Sequence, residues 1–142
     1  MEPTDDDVDA FLADLGNDDL KTLDAHIAEV FGTDRVLWRG IFWGGSEQAI
    51  IGYGDWTFQR PGKPDVSWFM VGLAQQKNAI SVYIMAVEDG QYAVKKYADT
   101  FASGTGAKPK VGSSVVSFKR LSDVDLAALL RVVRVGRQQM DG

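Results

Sequence analysis

The sequence predicts an α+β domain: one antiparallel sheet of about five strands, packed with helices from the N-terminal and C-terminal ends. Three observations lead there. Residues 35–87 hold most of the aromatic and β-branched side chains in period-two runs, the pattern of strands. Short turn-forming segments separate those runs, which makes hairpins between consecutive strands the default connection. Apolar stripes at helical spacing flank the strands on both sides.

Taken in order, Thr4 stands as an N-cap, with Asp7 three residues on in the place of a capping-box partner. Val8, Phe11, Leu12 and Leu15 then follow helical spacing until Gly16. Asn17 caps a second helix whose stripe is Leu20, Leu23, Ile27, Val30 and Phe31, closed by Gly32. The first strand begins at Val36 and alternates Trp38, Gly40 and Phe42 with Leu37, Arg39, Ile41 and Trp43. After Gly44-Gly45-Ser46 comes a strand over 47–59, with Ile50, Gly52, Gly54, Trp56 and Phe58 expected on one face and Tyr53 on the other. Strands over 66–73 and 79–87 follow.

Glu88-Asp89-Gly90 reads as a turn and 92–102 as a helix, with Val94, Tyr97, Ala98 and Phe101 inward. A basic loop at 108–114 leads to a short strand, Val115-Val116-Ser117-Phe118. Ser122, with Asp125 three residues on, is expected to cap the last helix, whose inward residues are Leu126, Leu129, Leu130 and Val133. The two ends are expected to fray.

At 142 residues the chain is expected to form one domain, 1–142, with enough length for a real core. There is no cysteine, so disulfides, thiol nucleophiles and thiolate metal sites are excluded. His26 is the sole histidine, which also excludes zinc sites of the usual nitrogen and sulfur type. A net charge of −5 argues against nonspecific nucleic-acid binding. No run approaches the roughly 20 apolar residues of a membrane span, and the acidic first residues do not resemble a signal peptide. A cytoplasmic protein, with no membrane and no nucleic-acid partner, is the expectation.

Three clusters invite a functional reading beside a structural one. The aromatic sheet residues Trp38, Tyr53, Trp56, Trp68 and Tyr83 form either core or a ligand surface over the Gly52 and Gly54 pair. Lys108, Lys110, Ser113 and Ser114 make either a solvated loop or a site for a small anion; the spacing is not that of a P-loop. Asp5, Asp6, Asp7 and Asp9 serve as helix-start charges or as weak oxygen ligands for a hard cation, without the spacing of a calcium loop. Glu47 and Asp55 are conceivable as an acid and base, but no spacing selects them, so no catalytic residue is assigned and the chain is read as no enzyme.

The segment from Gly106-Ala107-Lys108-Pro109-Lys110-Val111-Gly112-Ser113-Ser114 through Phe118-Lys119-Arg120-Leu121-Ser122-Asp123-Val124-Asp125-Leu126 resembles the closing motif of the YdhG-like family, small bacterial proteins of unknown function. Gly72-Leu73-Ala74 through Lys77-Asn78-Ala79-Ile80-Ser81-Val82-Tyr83 is similar to its central strand pair, and Val8-Asp9-Ala10-Phe11-Leu12 to its opening helix. The chain departs from the family pattern at Ala79, where members often carry a histidine, and at Gly40-Ile41-Phe42, where they often show a Gly-Met-Pro turn. The resemblance implies helices packed on one antiparallel sheet in a frataxin-like sandwich. It also implies, as an alternative function, an iron chaperone whose iron would fall on Asp5, Asp6, Asp7 and Asp9. The main reading is a module that binds a small ligand or a protein partner, without a cofactor, as a monomer or a homodimer.

Overall fold

A computed structural model describes residues 1–41, 47–58 and 61–141. The expected Gly44-Gly45-Ser46 turn, the strand ends at Phe42, Trp43 and Gln59, and Arg60 lie outside the described residues. The fold is α+β, with an antiparallel sheet of seven strands among the described residues in the order β1-β2-β3-β4-β5-β9-β8. The strands are β1 (Glu2–Pro3), β2 (Val36–Ile41), β3 (Glu47–Phe58), β4 (Val66–Gln75), β5 (Ile80–Ile84), β8 (Lys110–Val111) and β9 (Val115–Phe118). A separate ribbon pairs β6 (Val87–Glu88) with β7 (Gln91–Tyr92). The helices are α1 (Val8–Leu15), α2 (Asp18–Phe31), α3 (Ala93–Lys96) and α4 (Leu126–Asp141). Among the described residues no helix is long and apolar enough to cross a membrane.

The five expected strands correspond to β2, β3, β4, β5 and β9. The sheet exceeds them by β1 and β8, two-residue edge strands too short to display an alternation. Such short edges also leave little free backbone for another chain to pair with.

β1 changes how the first helix begins. Glu2 pairs with Arg39 and Pro3 with Trp38, so the N-terminal segment is held rather than frayed. Thr4 then bonds the Leu37 carbonyl through its backbone N–H at 3.0 Å and its hydroxyl at 2.7 Å. Committed to the sheet, Thr4 is not the cap. Asp7 takes that place, accepting from Asp9 N at 2.9 Å and Ala10 N at 3.4 Å. Gly16 and Asn17 act as expected: Gly16 ends α1 at φ 64°, and Asn17 Oδ1 accepts from Leu20 N.

Three further boundaries differ from expectation. The strand over 79–87 ends at Ile84, and the chain turns into the β6–β7 ribbon about Asp89 (φ 55°) and Gly90 (φ 77°), both left-handed as a type I′ hairpin requires. The helix over 92–102 stops at Lys96, because Phe101 and Ala102 bond across to residues 124 and 125 instead of back along a helix. For the same reason Val124 is extended and Ser122 lies in a separate 3₁₀ turn (Leu121–Asp123). α4 is therefore capped by Asp125, whose Oδ1 accepts from Ala128 N at 3.1 Å.

Helices α2 and α4 cover one face of the sheet. Leu20, Leu23 and Ile27 of α2 and Leu129, Val132 and Val133 of α4 are fully or almost fully buried, together with Ile51, Val71, Leu73 and Ile84 of the strands. Gly136 lets α4 approach the sheet, since a methyl there would stand 3.0 Å from Met70 Cγ.

Candidate functional site

The opposite face of the sheet is built around two glycines. Gly52 of β3 and Gly72 of β4 are direct cross-strand partners. Without side chains they leave a trough into which large neighbours fold. A methyl on Gly52 would stand 2.6 Å from Trp38 Nε1 and 2.7 Å from Trp38 Cδ1; one on Gly72 would stand 2.4 Å from Phe69 Cε1. Trp38 therefore reaches across β3 from β2. Its ring centre lies 5.4 Å from that of Trp68 and 5.7 Å from that of Phe69, while Trp68 stacks on Phe69 at 4.6 Å and 25°. Trp56 is the cross-strand partner of Trp68. Phe69 and Trp38 are buried; Trp56 and Trp68 are half-buried.

Gly54 corrects one expectation. Period-two alternation puts it on the same face as Gly52, but its φ of +75° breaks that alternation and turns it toward the helices. A methyl there would stand 2.6 Å from Met140 Sδ and 3.0 Å from Phe31 Cε1. Side chains thus fill the space over both glycines: the Trp38 ring over Gly52, and Met140 with Phe31 over Gly54.

Beside the aromatic cluster runs a chain of neutral polar groups. Tyr83 of β5 is the cross-strand partner of Gly72, and its hydroxyl accepts from Gln76 Nε2 at 2.9 Å. Gln76 Oε1 accepts from Ser81 Oγ at 2.6 Å, and Ser81 Oγ lies 2.8 Å from Ser117 Oγ on β9. Gln48 Oε1 of β3 is 3.5 Å from Gln76 Nε2. Burial raises the Tyr83 pKa, and the bonds to Gln76 and Ser81 partly offset it.

Of the five aromatic candidates, the structure brings Trp38, Trp56 and Trp68 together and sets Tyr83 on β5, one strand from Trp68 and three from Trp38, across from Gly72. Tyr53 points the other way. Its hydroxyl donates to Asp24 Oδ1 of α2 at 2.7 Å, with 1% of the residue exposed. Arg35 bonds the other Asp24 oxygen, and its second arm reaches Asp9 Oδ1 at 2.8 Å. Burial pushes the Tyr53 phenol well above its ordinary range, and the Asp24 charge adds to that. Burial opposes the Arg35 charge, but the bond to Asp9 and the charges of Asp24 and Asp9 outweigh it and raise the pKa. Both carboxylate oxygens of Asp24 are thus occupied by partners. Such a cluster fastens α2 and the start of β2 to the sheet.

The acidic candidates are mostly engaged elsewhere. Asp6 pairs with Arg39 at 2.8 Å, Asp7 caps α1, and Asp9 pairs with Arg35. Among the described residues no group of three or more His, Cys, Asp or Glu side chains is placed to hold a metal ion. Lys110, Ser113 and Ser114 fall in or beside the hairpin joining β8 to β9, which replaces the expected loop, and Lys108 precedes it; Lys108, Lys110 and Ser113 are exposed. Glu47 and Asp55 are exposed and eight residues apart on one strand, a separation on the order of 25 Å, too far to act on one bond.

The residues missed by sequence reasoning are Asp24, Arg35 and the Gln48, Gln76, Ser81 and Ser117 chain. Asp24 carried a usable signal: it lies four residues after Leu20 and three before Ile27, so an acid sits on the apolar stripe of a helix. Compared with known proteins, the chain matches no family model, no curated protein and no solved structure.

Proposed function

We propose that the chain is a binding module rather than an enzyme, and that its ligand rests on the sheet face turned away from α2 and α4. The observation that carries this is the glycine trough. Gly52 and Gly72 seat Trp38 and Phe69 as a floor, on which Trp68 and Trp56 remain partly exposed beside ordered amide and hydroxyl groups. Aromatic surfaces with a few fixed polar groups are the usual make-up of small-ligand sites.

The resemblance to the YdhG-like family is part of the same proposal. The residues of the closing motif that have structural jobs support a fold reading of that motif: Gly112 lies in the β8–β9 turn, Asp125 caps α4, and Gly106 has no room for a side chain against Asp123.

The test is a ligand screen read by tryptophan emission and thermal shift, repeated on Trp68→Leu. Binding is expected in the native chain and weakened in the variant. A screen of common metabolites that changes neither signal removes the proposal.

A further inference from the structure

Resting on that reading, we infer that the face takes a neutral, polyhydroxylated ring, that is, a carbohydrate. The first reason is the chemistry of the surface. Trp38, Trp68, Gln48, Gln76 and Ser117 are all uncharged, and the half-buried Gln48, Gln76 and Ser117 are ordered in one hydrogen-bonded chain by the buried hydroxyls of Ser81 and Tyr83. An ionised ligand would leave water without a counter-charge at these residues. Hydroxyl groups, which both donate and accept, suit carboxamides and hydroxyls that do the same. The C–H faces of a sugar ring suit the electron-rich face of an indole.

The second reason is the Trp38 N–H. Only 7% of this residue is exposed, and its Nε1 lies over Gly52. No acceptor is paired with it among the described residues. The buried side-chain nitrogen that lacks a partner among the described residues is Arg35 Nε, so Trp38 Nε1 is not wholly sealed from solvent. An acceptor on a bound ligand would complete it.

The third reason is the rim. Asp55, exposed, is the cross-strand partner of Phe69, so its backbone lies beside the aromatic cluster and brings a negative charge to that end of the strand pair. It accepts from hydroxyls and repels anions. With a chain charge of −5, phosphorylated ligands are disfavoured.

The experiment uses the full chain and a panel of uncharged methyl glycosides and disaccharides of glucose, galactose, mannose and N-acetylglucosamine. Binding is read by saturation-transfer NMR and tryptophan emission. At the efficiency usual for larger ligands, a ring of about a dozen non-hydrogen atoms binds with a Kd of roughly 2 mM. At least one glycoside is expected to bind in that range. Trp38→Phe, which keeps a ring and removes the N–H, is expected to weaken it about tenfold, the value of one good hydrogen bond. Circular dichroism of the variant checks that it is folded; Asp55→Asn, on an exposed side chain, gives a second variant, expected to weaken binding severalfold.

No glycoside binding up to about 20 mM, ten times the Kd worked above, overturns the inference. Should a neutral aromatic such as indole or nicotinamide bind in a Trp68-dependent way while all glycosides fail, the carbohydrate class is wrong and the binding module stands. If nothing binds, both fall. Glycoside binding that Trp38→Phe and Asp55→Asn both leave unchanged places the ligand elsewhere and also overturns the inference.

Discussion

Gly52→Ala is the sharpest perturbation of the proposed surface. The backbone at Gly52 is ordinary strand, so the whole cost is steric. The new methyl would stand 2.6 Å from Trp38 Nε1, 2.7 Å from Cδ1 and 3.0 Å from Phe69 Cβ. Contacts between such atoms settle near 3.5–4.0 Å, so the indole must retreat by about 1 Å. Trp38 has little room for this between Trp68 and Phe69. Overpacking of this kind costs about 1–3 kcal/mol, and a disturbed aromatic pair adds roughly 0.5–1.5 kcal/mol. The expected loss is therefore about 2–4 kcal/mol. At roughly 3 °C per kcal/mol for a chain of this size, Tm falls by about 6–12 °C. Urea unfolding followed by circular dichroism measures the loss, and tryptophan emission should shift to the red as Trp38 is displaced. Adding Trp38→Ala removes both clashing indole atoms, so the double variant should be more stable than the sum of the singles by about 1 kcal/mol or more. If Gly52→Ala is as stable as the native chain and its emission is unchanged, the ring does not sit over Gly52 and the site is wrongly built.

Other outcomes follow from the same geometry. Gly54→Ala combines a left-handed backbone (φ +75°) with a clash against Met140, and should cost about 2–4 kcal/mol, while Gly16→Ala, also left-handed but with open space, should cost only about 1 kcal/mol; equal losses in urea unfolding would refute the Met140 contact. Asp24→Ala leaves the Tyr53 hydroxyl without its acceptor and Arg35 with only the exposed Asp9, and should cost about 3–5 kcal/mol, and Tyr53→Phe about 1–3 kcal/mol; losses below 1 kcal/mol in either would contradict the buried cluster. Because the folded pKa of Tyr53 is raised above the ordinary 10.0, its contribution is complete below pH 10.0 and is lost as pH rises beyond it. Stability measured from pH 9 to 12 should therefore fall less steeply in Tyr53→Phe than in the native chain. Calorimetric titration with iron(II) should give no saturable heat that the combined Asp5→Asn, Asp6→Asn, Asp7→Asn and Asp9→Asn variant abolishes, since three of these carboxylates already have partners.

What the sequence revealed and what it withheld have separate physical causes. The five longer strands and the stripes of α2 and α4 were legible because each buries one face over several periods. β1 and β8 were not, since two residues complete no period and exist only because a neighbouring strand offers them bonds. The same long-range bonds moved the caps: Thr4 was drawn to Leu37 and residues 101–102 to residues 124–125, leaving Asp7 and Asp125 as the caps. At the site, the composition of the aromatic cluster was readable, but its sidedness was not. One left-handed φ at Gly54 cancels the alternation there, and it has no marker in the sequence beyond the glycine itself. The polar chain was invisible because Gln48, Gln76, Ser81 and Ser117 come from three strands and a turn, and only the pairing of β3, β4, β5 and β9 brings them together.

The most direct test is ligand-observed and protein-observed NMR together, using ¹⁵N-labelled protein to follow the indole N–H signals. A ligand found in the screen should move the Trp38, Trp56 and Trp68 indole resonances and the backbone amides of Gly52 and Gly72. It should leave the amides around Asp24 and Tyr53 in place. Shifts centred on α2 or α4, with the three indoles unmoved, would contradict the account.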